Sequence, residues 1–70
     1  MSKKPIIGLN ADYRMGQQDV PAYSYVAAGY ADCIIAAGGI PLIVPPMEEA
    51  QDVREVLEQV QGFVLVGGQD

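Results

Sequence analysis

Hydrophobic positions in this chain come in blocks whose spacing changes from one block to the next, and each change marks a new element. Pro5-Ile6-Ile7-Gly8-Leu9-Asn10-Ala11 is a short apolar run without helical spacing, flanked by Lys3 and Lys4 and by polar residues, as a buried strand requires. From Asp12 to Val20 the residues turn polar, which predicts a loop at the carboxyl end of that strand. Val26, Tyr30, Cys33, Ile34 and Ala37 then recur at spacings of three and four. They predict a helix that enters at Pro21, with Asp19 as its cap, and stops at Gly38-Gly39. Ile40 to Val44 reads as a second strand, ended by Pro45-Pro46 because proline has no N–H for the ladder.

Glu49 to Val60 sets Val53, Val56, Leu57 and Val60 on one helical face and Asp52, Arg54, Glu55, Glu58 and Gln59 on the other. The acidic start at Glu48, Glu49 and Asp52 complements the positive end of the helix dipole. Gln61-Gly62 turns the chain into a third strand, Phe63 to Val66, which runs into Gly67-Gly68. The order is therefore β-α-β-α-β. Right-handed crossovers make such strands parallel and bring their carboxyl ends to one rim. The loop after Asn10, the Pro45-Pro46 turn and the Gly67-Gly68 turn are expected to share it.

The predicted fold is α/β, a flavodoxin-like doubly wound parallel sheet, of which this chain is the first β-α-β-α-β portion. A parallel sheet needs cover on both faces, which two helices hardly provide. A domain of this size also buries only about 60% of the surface its unfolded chain exposes. Residues 1–70 are accordingly expected to be the amino-terminal part of a single larger domain, completed by further chain or by a partner. No repeat or linker interrupts them.

Nine acidic residues against four scattered basic ones give a net charge of −5, which disfavours a nucleic-acid partner. The longest apolar run, Ala31 to Met47, is broken by Asp32, Gly38-Gly39 and three prolines, so no membrane span is expected. One cysteine and no histidine leave no zinc spacing and no internal disulfide. No metal and no cofactor are expected, and a reduced, cytoplasmic compartment fits.

The candidate chemistry lies at the end of the third strand. Residues without side chains let a backbone approach a reacting oxygen closely and adopt positive φ. Gly67 and Gly68 could thus present N–H groups to an oxyanion, although such a pair after a strand is more often only a tight turn. Tyr13 and Arg14 follow the first strand on the same rim, where an arginine could hold a substrate carboxylate in a bidentate fork or simply be solvated. Asn10 and Asp12 could bond loop backbone groups. Cys33 lies mid-helix on the apolar face with no glycine elbow and no histidine beside it, so a buried structural thiol is expected. Tyr30 shares that face and reads as core, whereas the pattern leaves Tyr23 and Tyr25 undecided.

Lys4-Pro5-Ile6-Ile7-Gly8-Leu9, the helix leading into Ala37-Gly38-Gly39-Ile40-Pro41 and Pro45-Pro46, and Gly62-Phe63-Val64-Leu65-Val66-Gly67-Gly68-Gln69-Asp70 together resemble the amino-terminal third of the peptidase C26 family. These are γ-glutamyl hydrolases, including γ-glutamyl-γ-aminobutyrate hydrolases, of the class I glutamine amidotransferase-like superfamily. The resemblance implies a cysteine of a downstream G-x-C-x-G elbow with a later histidine and glutamate, none of them in this segment. It implies that Gly68, with Gly67 setting the turn, lends a backbone N–H to the oxyanion hole. Gln69 and Asp70 would begin the loop bordering the pocket of a small γ-glutamyl substrate, and homo-oligomers are left open.

The competing reading is a non-catalytic small-molecule-binding α/β module that uses the same rim without covalent chemistry. A receiver-like module fits poorly, because Asn10-Ala11-Asp12 does not supply paired acids at the first strand end. A third reading is an interaction piece that offers a sheet edge to a partner.

Overall fold

The structure, a computed structural model, describes residues 3–67. Five strands and two helices follow one another as β1 (Ile6–Asn10), β2 (Asp12–Arg14), β3 (Tyr23–Tyr25), α1 (Ala28–Ala36), β4 (Ile40–Val44), α2 (Ala50–Gln59) and β5 (Gly62–Val64). β1, β4 and β5 form a parallel sheet in the order β4-β1-β5. The chain steps from β1 to one neighbour and then crosses back to the other side. That reversal is the mark of a doubly wound, flavodoxin-like α/β sheet, here in its first portion.

Alternation along β1 assigns the two faces. Ile7 meets the α1 side, since a Cβ built on Gly39 would lie 3.1 Å from both Ile34 Cγ2 and Ile7 Cγ1. Gly8 faces the other way, toward Phe63 and toward Val60 at the end of α2. Leu9, on the central strand, is fully buried, and Ala11 and Ile34 complete the core. The outer strand stays bare on its flanks, with Ile40, Leu42 and Ile43 all exposed.

The turn after α1 explains why Gly38-Gly39 stops it. Gly38 takes φ +97°, its N–H donates to the Ile35 carbonyl and the Gly39 N–H donates to the Ile34 carbonyl, the paired bonds of a Schellman motif. α2 begins after Glu49, with Asp52 in its first turn.

Two expectations are corrected. The polar stretch after β1 is not an open loop and Pro21 does not start a helix. Asp12–Arg14 and Tyr23–Tyr25 pair as an antiparallel hairpin, closed at its tip by reciprocal bonds between Gln17 and Val20. Tyr23 and Tyr25 favour strand, so their backbone takes ladder partners that a helix would have supplied locally. Asp19 therefore sits in the hairpin turn, and α1 starts at Ala28, its N-cap Ala27 making no side-chain cap bond. The second correction concerns the apolar stripe of α1. Only Ile34 is buried; Tyr30 is 42% exposed and Cys33 is exposed. The helix touches a three-stranded sheet along one narrow line, which leaves the flanks of the stripe uncovered.

Among the described residues, no helix is long and apolar enough to cross a membrane.

Candidate functional site

In a doubly wound sheet the crevice outside the carboxyl ends of the strands, where the winding direction reverses, is the natural ligand site. Here that place lies between β1 and β5. The ladder between them ends at Leu9 opposite Val64. Beyond it, the Asn10 side chain continues the pairing: Val66 N–H donates to Asn10 Oδ1 at 2.6 Å, and Asn10 Nδ2 donates to the Val66 carbonyl at 3.3 Å. A carboxamide carries the same donor and acceptor as a peptide unit, so Asn10 acts as a side-chain rung. Both bonds are partly buried. At the other end of the same pair of strands, Ile6 N–H donates to Gln61 Oε1 at 2.7 Å and Gln61 N–H to the Ile6 carbonyl at 2.9 Å. Two amide side chains thus bracket a β5 whose own ladder spans three residues.

Gly67 follows directly and opens onto a cleft of about 340 Å³ that it lines together with Asp12, Arg14, Tyr25, Tyr30 and Val66. A Cβ built on Gly67 would meet nothing within 4 Å. The hairpin supplies the charged wall. Alternation along β2 sends Asp12 and Arg14 to one side, while Tyr13, opposite Ser24, is 55% exposed and does not line the cleft. Arg14 Cζ sits 5.7 Å from the centroid of the Tyr25 ring, within cation–π range. The neighbouring Tyr25, and then Tyr23, raise the Arg14 pKa above its ordinary value. The guanidinium stays charged and steered by an aromatic pair whose centroids are 5.9 Å apart.

A larger apolar groove of about 600 Å³ opens on the α2 side of the same rim, bordered by Asn10, Pro45, Pro46, Val53, Leu57 and Leu65. The three strand ends therefore do converge. Cys33 lies elsewhere, in a shallow depression with Pro5, Ile7, Ala37 and Gly39 at the amino-terminal end of β1. Its thiol is on the wrong edge of the sheet to meet Gly67.

Gly68, Gln69 and Asp70 lie outside the described residues. Of the other sequence candidates, the structure brings Gly67 and Arg14 to one cleft and leaves Tyr13 outside it. Tyr25 and Tyr30 line the cleft although no periodicity marks them as site residues; the hairpin, which pairs β2 with β3, brings Tyr25 there, and the first turn of α1 brings Tyr30. Asn10, which could have bonded backbone of its own loop, instead bonds Val66, two residues past the end of β5 and 56 positions away.

Comparison with known proteins bears on the same segment. Over its whole length the chain is 36% identical to 26% of a protein of Rickettsia prowazekii (strain Madrid E) whose name is "Putative glutamine amidotransferase-like protein". Over 99% of its length it is 34% identical to 23% of a Mycobacterium tuberculosis protein named "Putative glutamine amidotransferase". The chain thus spans about a quarter of the length of these curated relatives. No solved structure gives a significant match. The peptidase C26 family model matches residues 5–70, from the residue before β1 to Asp70, and the chain belongs to the peptidase C26 family.

Proposed function

We propose that this chain is the amino-terminal part of a cysteine-dependent hydrolase or glutamine amidotransferase-like domain that cleaves γ-glutamyl amide bonds. In this reading the segment supplies the oxyanion-hole loop and one wall of the substrate pocket, and residues beyond it supply the nucleophile. The observation that carries the reading is the placement of Gly67: next to Val66, which Asn10 holds at the switch point of the sheet, it borders a cleft that Arg14 also lines. Membership of the peptidase C26 family supports it as well.

The chemistry of this reading is that of a cysteine hydrolase. A cysteine thiolate attacks the γ-carbonyl carbon, a C–S bond forms, and the carbonyl π pair moves onto oxygen. The Gly68 N–H, with Gly67 setting the turn, stabilises that oxyanion; loss of one such donor costs roughly 3–4 kcal/mol of transition-state stabilisation. Collapse breaks the C–N bond, and the amine leaves with a proton from an imidazolium. Water then adds to the thioester while giving one proton to the imidazole, the C–S bond breaks to return the thiolate, and the released γ-carboxylic acid loses its proton to solvent. Arg14 pairs with a carboxylate of the small γ-glutamyl substrate, and Gln69 and Asp70 continue the pocket wall. The remainder of the domain covers the apolar flanks of β4, the reaction needs no metal or cofactor, and the protein works in the cytoplasm.

L-γ-glutamyl-p-nitroanilide tests the reading. The intact protein carrying this segment is expected to release nitroaniline, and the isolated 70-residue chain to release none. Saturable binding of the anilide by the intact protein without any turnover would replace the hydrolase with the binding module. The large apolar groove beside the same rim is what favours that second reading.

A further inference from the structure

Among the described residues, Asn10 has the only side chain that bonds the segment leading into Gly67, and it bonds both the N–H and the carbonyl of Val66. The geometry points to Asn10 as the positioning residue of the oxyanion loop, an inference that rests on the γ-glutamyl hydrolase reading. A trans peptide unit is planar, with its C=O and N–H on opposite sides. The described peptide bonds include no cis bond. The Val66 carbonyl and the Gly67 N–H belong to one such unit. When Asn10 Nδ2 takes the Val66 carbonyl toward β1, the Gly67 N–H is turned away from β1. The bond from Val66 N–H to Asn10 Oδ1 fixes the preceding unit in the same way. With both units fixed, the chain leaves Gly67 from a set orientation.

Among the described residues, no other feature at the end of β5 does this. Its ladder ends at Val64, Leu65 is 83% exposed, and a Cβ at Gly67 would touch nothing. Without Asn10 the strand end would be free to rotate about Val66. An oxyanion hole works only while its donors point at the place where charge develops. Asn10 therefore acts on the reaction through Gly67 and Gly68 without touching substrate, so its effect belongs in kcat and not in KM.

The test uses the intact protein and the nearly isosteric variant Asn10→Asp. The carboxylate keeps the acceptor for Val66 N–H and loses the donor to the Val66 carbonyl. At neutral pH, kcat is expected to fall on the order of 10²-fold, the scale of an ångström-sized misplacement, with KM within about twofold. Acidification that protonates the introduced carboxylate restores a donor, so the kcat ratio of variant to wild type should climb as pH falls through the carboxyl pKa. A γ-glutamyl aldehyde, which forms a tetrahedral adduct with the thiolate, should lose affinity in proportion to kcat, while glutamate should not. A kcat loss unrelieved by acid, equal losses for aldehyde and glutamate, or wild-type kcat in Asn10→Asp would each overturn the assignment. Amide hydrogen exchange of Val66 provides a readout independent of turnover: protection in wild type, lost in Asn10→Ala, is expected. An inactive wild type with a protected Val66 would sink the hydrolase reading alone, whereas an unprotected Val66 would sink the positioning role.

Discussion

The Phe63 ring lies against Gly8 in the neighbouring strand so closely that a Cβ on Gly8 would sit 2.7 Å from Phe63 Cδ2 and 2.9 Å from Cε2. The two residues are register partners in the β1–β5 pair and share the face turned toward α2. Gly8 is therefore the hole into which the aromatic ring fits.

Gly8→Ala forces the ring or β5 aside, and overpacking of this kind costs about 1–3 kcal/mol. Urea unfolding of the intact protein should register that loss. Phe63→Leu removes the obstructing ring edge, so Gly8→Ala should cost less in that background. Additive losses in the double-mutant cycle would show that the two residues do not interact.

Arg14→Gln in the intact protein should raise KM for a γ-glutamyl anilide about tenfold or more with kcat nearly unchanged, because a charge-assisted bond is worth about 1.5–3 kcal/mol. Arg14→Lys should not restore it, since an ammonium lacks the planar fork. The Tyr25 and Tyr23 side chains raise the Arg14 pKa, which favours the protonated form. The guanidinium then keeps its charge at every working pH, and the contribution of Arg14 to KM should be flat from neutral into the alkaline range. An alkaline rise in KM that Arg14→Gln abolishes would contradict this.

Cys33 is exposed and lies at the amino-terminal edge of the sheet, away from Gly67. Cys33→Ser in the intact protein should leave kcat/KM within about twofold, whereas removal of a true nucleophile costs orders of magnitude. Being exposed, the thiol should also react with iodoacetamide without loss of turnover in a variant whose other accessible cysteines are protected by substrate. A collapse of activity in Cys33→Ser would make this cysteine the nucleophile and reverse the assignment.

Much of the architecture was legible because it depends on local chemistry. Ile40–Val44 was bounded by Gly38-Gly39 and Pro45-Pro46, residues whose backbone limits act wherever they stand, and the structure keeps those bounds. α2 was legible to within a residue at each end, since its polar and apolar faces are both long enough to show the helical period. The hairpin was not. Asp12–Arg14 and Tyr23–Tyr25 are three-residue strands whose stability comes from each other, and a pairing partner nine or more residues away leaves no periodic trace.

The order of residues by itself determined the β-α-β-α-β succession of the parallel sheet and the convergence of its three strand ends, because these follow from propensity, chain breakers and handed crossovers. Only the tertiary structure decided that a hairpin brings Arg14 and Tyr25 to the cleft that Gly67 lines, that Cys33 faces solvent, and that Asn10 clasps Val66. Those outcomes depend on which segments meet across the sheet edge. Contacts between positions far apart are set by packing and by satisfaction of backbone donors and acceptors, and neither quantity is encoded in the spacing of nearby residues.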